Sequence, residues 1–264
     1  MTENGEAVPA QAVEAATQQV NAWRRGIDLA GAIVSKPWRR YRSRVFMGYM
    51  VVALAVFTIL AVLAKTVAFF TFDVTITQAI QTLNFPGFGP LMAGLTWIGF
   101  GPQAYVISAL ALVFLLVSGL RWEALVSFVS LILSSVVGLG IKALIDRPRP
   151  SADVVNVFNQ LKDYSFPSGH VLYFTTFFGF LLFLAFTLLR PTWWRKVTLI
   201  VLSGMVALIG LSRIYVGQHW ASDVIAAYLL GSAWLGASIL IYRWGKPRFF
   251  VNRPVAKETP ASAP

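Results

Sequence analysis

Two histidines stand in this chain of 264 residues, and each sits inside a short polar cluster. One cluster is Pro167-Ser168-Gly169-His170, and the other is Ser212-Arg213 followed by His219 and Asp223. Histidine is the side chain whose ordinary titration falls near neutral pH, so the pair can supply a nucleophile and a proton donor. Upstream, Lys142 and Arg149-Pro150 add cations to a chain in which only 12% of residues are charged. Cations beside two histidines suit phosphoryl chemistry, where charge on the phosphate oxygens must be held while a P–O bond breaks.

Each cluster has a plainer reading as well. Lys142, Arg147 and Arg149 at a helix end could simply anchor lipid headgroups by snorkelling. Ser168 could be a helix cap and His170 an interfacial side chain. Against that, Ser168 and Gly169 open an apolar run, where free backbone N–H groups and the positive dipole end can hold an anion. Asp223 could be an N-terminal cap and His219 a belt residue beside Trp220. If the helix has already begun at His219, however, Asp223 lies on the same face. Its carboxylate then holds one imidazole nitrogen and leaves the other free to attack. All three clusters falling on one inferred membrane face, with both histidines among them, favours chemistry.

The elements that must position these residues are membrane helices. A composition of 57% hydrophobic residues and a mean hydropathy of +0.67 exclude an ordinary soluble domain. Apolar runs at Val45–Ala64, Gln103–Leu120, Ala124–Ile141, Val171–Leu189, Val197–Leu211 and Val224–Tyr242 predict an all-α bundle of six transmembrane helices over residues 45–242. The fifth run reaches spanning length only by continuing into Ser212 and Arg213, which brings those groups to the membrane surface. Residues 66–100 read as a partly helical interfacial loop, because Pro86, Gly87, Gly89 and Pro90 break any long helix; a re-entrant span near Leu91–Phe100 is the alternative. Residues 1–44 form a separate arm, in which Val13, Ala16, Val20, Trp23, Ile27, Ala30 and Val34 share one helical face and suggest an amphipathic surface helix. Residues 243–264 read as a basic and then disordered tail.

Charge placement orients the bundle. With six spans, 16 of the 22 Lys and Arg residues fall on the side of the N-terminal arm, which the positive-inside rule makes cytoplasmic, with both termini there. The six exceptions are Lys65, Lys142, Arg147, Arg149, Lys162 and Arg213, three of them in the polar clusters. Cations placed against the bias need another purpose, and binding an anion at the extracytoplasmic face of a cell membrane is the obvious one. The net charge of +11 is mostly juxtamembrane, so it speaks for anionic lipid and not for nucleic acid. Acidic residues near the clusters are few and scattered, at Asp146, Asp153 and Asp163, so neither a metal cage nor a cofactor is expected.

The three clusters resemble the motifs of the type 2 phosphatidic acid phosphatase superfamily: Lys-x6-Arg-Pro, Pro-Ser-Gly-His and Ser-Arg-x5-His-x3-Asp. All three match without a departure between Lys142 and Asp223. The resemblance implies a metal-independent phosphatase in which His219 attacks phosphorus to form a phosphohistidine, Asp223 orients its imidazole, and His170 protonates the leaving oxygen. It also implies that Lys142, Arg149, Arg213, Ser168 and the Gly169 backbone cradle the phosphoryl oxygens. The substrate it implies is a membrane lipid phosphate, and an outward site favours a polyprenyl (undecaprenyl) diphosphate. Phosphatidic acid, phosphatidylglycerol phosphate or a lipid phosphotransferase reaction are the alternatives, and a non-hydrolytic lipid or anion transporter is the rival from another class. Small residues in the last run, such as Gly231 and Gly236, allow close helix contact without fixing an oligomeric state.

Overall fold

Each long apolar run is a helix in the computed structural model, which describes Glu14, Tyr41 and residues 44–249. The chain divides into two compact units, Met1–Val51 and Val52–Pro264. The surface helix expected in the N-terminal arm and the tail beyond residue 249 lie outside the described residues. No strand occurs among the described residues. That is the expectation for backbone in hydrocarbon, where a helix satisfies its own polar groups.

Five helices are long and apolar enough to cross a membrane: α1 (Arg44–Thr66), α5 (Arg121–Ile145), α6 (Gly169–Leu188), α7 (Trp193–Tyr215) and α8 (Ala221–Phe249). A sixth crossing requires α3 (Phe88–Ile98) and α4 (Gly101–Val117) to be taken together as one broken span, bent by 69° at Gly99 and Phe100. The fifth apolar run extends at both ends, so that Ser212 and Arg213 lie in the last turn of α7. The last helix also runs past Tyr242 to Phe249, so the first part of the basic tail is helical.

The stretch read as a partly helical loop is more ordered than its glycines and prolines suggest. Besides α3 it holds α2 (Thr71–Gln81). Pro86 lies in the turn before α3, but Pro90 lies in the first turn of α3, and Pro102, just beyond the stretch, in the first turn of α4, so these two begin helices instead of ending them. At those positions the missing N–H is one that no intrahelical acceptor would use.

One cluster packs Met92 and Leu95 of α3 against Phe174 and Phe177 of α6, Ile209 of α7 and Val224 of α8. A second joins Phe57 and Ala64 of α1 to Phe166, Leu172 and Leu230. The outward faces are apolar as well, with Ile59, Leu110, Phe114 and Leu139 all more than half exposed, as a surface in lipid tails should be. The buried charged residues are sorted to the two ends. At one, Glu123 of α5 is fully buried and accepts from Lys246 (2.6 Å) and Tyr242 (2.9 Å) of α8. At the other meet the C-terminal ends of α1, α5 and α7 and the N-terminal ends of α6 and α8, with Lys65 donating to the Leu144 carbonyl (2.8 Å).

Between α7 and α8 the chain turns through Gly217, whose φ is +66°. A Cβ there would overlap the Asn156 carbonyl. Only glycine serves both the left-handed backbone and the close approach, and it fixes the loop that carries His219 against the loop that follows α5.

Candidate active site

Four short pieces of chain build the site. Helix α5 ends at Asp146, whose left-handed backbone (φ 57°) stops it, and Pro148 and Pro150 keep the following chain extended. Lys142 in the last turn of α5 and Arg149 in that extended strip therefore reach the same cavity. Helix α6 starts beside them with Ser168 and Gly169, α7 brings Arg213 in its last turn, and the α7–α8 loop brings His219. The cavity, of about 230 Å³, is lined by Lys142, Arg149, Gly169, His170, Arg213 and His219, with Asp163, Leu161 and the Gly99-Phe100-Gly101 elbow completing its wall. Ser168 and Asp223 lie immediately behind it, joined by a backbone hydrogen bond from Ser168 N to Asp223 O (3.3 Å).

His219 and Asp223 are buried, with His219 Nδ1 3.6 Å from Asp223 Oδ2. That separation is longer than a hydrogen bond, and Nδ1 has no hydrogen-bond partner among the described residues. His219 precedes the helix instead of lying on its face, since α8 begins at Ala221. Asp223 is not the cap residue itself but lies in the first turn of α8, from which the same Oδ2 reaches back to accept from the Trp220 backbone N–H at 3.0 Å. Trp220 is no belt residue: it is 1% exposed and donates its indole N–H to the Pro148 carbonyl (3.2 Å). On the other side of the His219 ring, Nε2 lies 3.1 Å from Arg149 Nη1 and can only accept from it. Burial, then the charges of Arg149, Arg213 and Lys142, push the His219 imidazole well below its ordinary titration range, so it is neutral at neutral pH with Nε2 unprotonated toward the cavity.

His170 is held by the α3–α4 elbow. Its Nε2 lies 3.0 Å from the Thr96 carbonyl, which can only accept, so Nε2 carries the hydrogen of that bond. The ring meets Phe100 edge-on at 5.2 Å. Thr96 Oγ1 also receives a long contact from Arg213 Nη1 (3.4 Å) and shares a hydrogen bond with Ser212 (2.6 Å), whose hydroxyl reaches the Met92 carbonyl (2.6 Å). Ser212 is thus a strut to α3. Ser168 stands at the N-cap position of α6, but its hydroxyl makes no cap hydrogen bond. Ser168 Oγ and Arg213 Nε are buried without partners among the described residues, as donors kept for an anion would be.

Asp163, a scattered acid in the sequence, lies in the cavity wall. Its carboxylate takes Arg149 Nη2 (2.8 Å) and Nε (3.1 Å) on Oδ1 and Lys142 Nζ (3.2 Å) on Oδ2. Burial alone would raise its titration, but the Lys142 and Arg149 charges outweigh that and lower it.

Arg147 departs from expectation. One of the six cations against the charge bias, it is 1% exposed and is not part of the cavity lining. Its Nη1 donates to Asp223 Oδ1 (2.5 Å) and Ser222 Oγ (2.7 Å), Nη2 to Asp73 Oδ2 (2.9 Å) and Nε to the Ala68 carbonyl (3.0 Å). Sequence reasoning missed Asp73 altogether. The one available signal was that it is the single acidic residue between Arg44 and Glu123. Thr96, Gly99 and Phe100 carried no chemical signal at all.

The PAP2 superfamily model matches residues 123–247. Phosphatidylglycerophosphatase B of Bacillus subtilis (strain 168) is 26% identical over 181 residues, 66% of this chain and 85% of that protein. Undecaprenyl-diphosphatase of Sulfolobus acidocaldarius is 44% identical over 70 residues, 26% of this chain and 30% of that protein. Among solved structures, the transmembrane PAP2 type phosphatidylglycerolphosphate phosphatase of Bacillus subtilis has the same fold (TM-score 0.64, 22% identity), covering 77% of this chain and 98% of the other. Aquifex aeolicus LpxE is also similar in fold (TM-score 0.52, 22% identity), covering 65% and 96%. With the motif residues gathered at one end of a helical bundle, residues 123–247 match the PAP2 superfamily, and this multi-pass membrane protein shares its fold with transmembrane phosphatases of that superfamily.

Proposed function

We propose that the chain removes the terminal phosphate of a membrane lipid phosphate or diphosphate through a phosphohistidine on His219. The observation that carries this reading is the His219 ring itself, with Nδ1 turned to Asp223 and a neutral Nε2 turned to a cavity that Lys142, Arg149 and Arg213 line. A phosphoryl group there meets three cations, the Ser168 hydroxyl and the free N–H groups at the start of α6.

Nε2 attacks phosphorus and the bond to the leaving oxygen breaks, with the departing alkoxide or phosphate taking a proton from His170. Because Nε2–H of His170 is committed to Thr96, Nδ1 is the nitrogen that carries the mobile proton. Water, deprotonated at the same nitrogen, then attacks the phosphohistidine and releases phosphate. As the His219 ring gains positive charge, its Nδ1–H contact to Asp223 tightens from the resting 3.6 Å, as catalytic contacts often do on binding.

The bilayer supplies the substrate, with the headgroup in the cavity and the tail in lipid. A polyprenyl diphosphate is the leading candidate and phosphatidylglycerol phosphate or phosphatidic acid the alternatives; similarity to an undecaprenyl-diphosphatase and to a phosphatidylglycerophosphatase supports both a diphosphate and a glycerophospholipid substrate. The extracytoplasmic placement rests on charge: Arg121, Arg190, Arg195, Arg243 and Lys246 lie at the bundle end away from the cavity.

The test is phosphate release by the purified protein, in excess chelator, from polyprenyl diphosphate, phosphatidic acid and phosphatidylglycerol phosphate. The expected result is hydrolysis of at least one, abolished in His219→Ala, with an acid-labile phosphate label on His219. Hydrolysis that survives in His219→Ala overturns the nucleophile, and translocation without release favours the transporter. Because the chain lacks cysteine, a single cysteine at Ala152 labelled by an impermeant maleimide in intact cells reads the face.

A further inference from the structure

Behind Asp223 lies an ion network with no contact to the cavity. Asp73, Arg147 and Asp223 have side chains 0% exposed and are joined through one guanidinium, with Nη2 on Asp73 and Nη1 on Asp223. Ser222 ties the same groups together, its backbone N–H donating to Asp73 Oδ1 (2.7 Å) and its hydroxyl to Asp73 Oδ2 (2.8 Å). Asp73 comes from the first turn of α2, where its Oδ2 also accepts from the Phe70 N–H (3.1 Å), and it lies outside the residues that the family model matches. A chain that only needed to hold Asp223 in place could do so with Trp220 and Arg147. The second carboxylate needs its own reason, since burying an ion is costly unless its charge is used.

The reason lies in the charge count. Arg147 beside Asp223 makes a neutral pair, which would leave His219 facing no net negative charge. Asp73 pairs with the far side of the same guanidinium and returns the network to one net negative charge. We propose that Asp73 and Arg147 are positioning residues that aim the Asp223 carboxylate at His219 and keep its charge from being cancelled, so that the cationic phosphohistidine forms against a net anion. The inference rests on the phosphohistidine reading above.

A role in charge and a role in packing respond differently to a pair of substitutions. Asp73→Asn leaves the network neutral. Arg147→Gln leaves it with two negative charges, and Asp73→Asn with Arg147→Gln together restore one. Partners of a reacting histidine typically contribute 10–100-fold to activity, so Asp73→Asn is expected to lower kcat about 30-fold with KM changed less than about 3-fold. The double variant is expected to regain roughly 10-fold of that loss. Losses that multiply in the double variant overturn the proposal and leave these residues a merely structural role.

A second measurement needs no turnover. With only two histidines in the chain, selective 15N-histidine labelling of the full-length protein in detergent gives two ring systems, each assigned by substitution. Asp73→Asn is expected to move the Nδ1–H resonance of His219 and leave that of His170 in place; unmoved His219 signals overturn the proposal. Asp73→Ser, also neutral, carries the same test should Asp73→Asn fail to fold. Absence of phosphate release by the wild type would instead count against the phosphatase reading, and the resonance comparison would still decide this one.

Discussion

A single methyl group at Gly99 should disable the proposed proton donor, His170, and leave the rest of the site in place. Gly99 lies at the break between α3 and α4 with φ −87° and ψ −2°, a backbone that alanine adopts freely. The obstacle is entirely on the side of the new Cβ, which would stand 2.8 Å from His170 Nε2 and 2.9 Å from Cγ, and would overlap Cδ2. Carbon contacts settle near 3.5–4.0 Å, so the imidazole must retreat by about 1 Å. It then gives up the 3.0 Å hydrogen bond to the Thr96 carbonyl that fixes its orientation. A misplacement of about 1 Å costs on the order of 100-fold in rate, or about 2.7 kcal/mol of barrier. The assay compares phosphate release from a lipid phosphate, whose alkoxide needs a proton, with release from p-nitrophenyl phosphate, whose leaving group needs little help. Gly99→Ala should lower kcat about 100-fold on the lipid and no more than about 10-fold on the aryl ester, with the thermal midpoint unchanged. A lipid rate within about 3-fold of wild type, or equal losses on both substrates, would refute the reasoning.

Other outcomes follow from the same geometry. Folding holds the His219 imidazole below its ordinary range, near 6.5 in an unfolded chain, so the unfolded state binds more protons as pH falls through that value. Stability is therefore full above about pH 6.5 and declines below it, and His219→Gln should flatten that decline in thermal unfolding. Lys246→Ala strips the main partner from the buried Glu123 carboxylate and should cost about 1–3 kcal/mol in unfolding while leaving kcat within about 2-fold, because that ion pair lies at the end of the bundle away from the cavity. Arg213→Lys keeps the charge but loses the fork that spans the elbow and the cavity, and KM for the lipid phosphate should rise about 10-fold.

Much of the candidate site was legible because its residues fall in three short runs whose spacing survives folding. Lys142 and Arg149 reach one cavity because a helix end and Pro148 lie between them, and the local chain encodes both. The supports were harder to read. Asp73 meets Arg147 across 74 residues, and a lone aspartate in an apolar sequence looks the same whether it caps a helix or charges a network; here it does both. The elbow was hidden for a different reason. Gly99 carries no side-chain chemistry, and the neighbouring prolines suggested broken helices when they stand in first turns, where the missing N–H costs nothing. Arg147 and Arg149 differ only in which way an extended strip turns them, one inward to carboxylates and one to the cavity, and composition holds no information on that choice.

The Asp163 carboxylate on Arg149 and Lys142 means that the substrate-free cavity is already ligated by an anion of its own. More than half of that side chain is exposed, so it can swing into water and leave its partners to a newcomer. Every anion that binds must displace the same tethered competitor. Such a competitor weakens substrate, product and inhibitor by one common factor and leaves the preference among them untouched. Asp163→Asn should accordingly lower KM and the inhibition constant for inorganic phosphate together, by about the same multiple, a uniform change in binding. Unequal shifts would mean that the carboxylate touches one of these ligands after it has been displaced. Tolerance of free phosphate is then expected to follow a tethered loop residue, separately from the groups proposed to perform the chemistry.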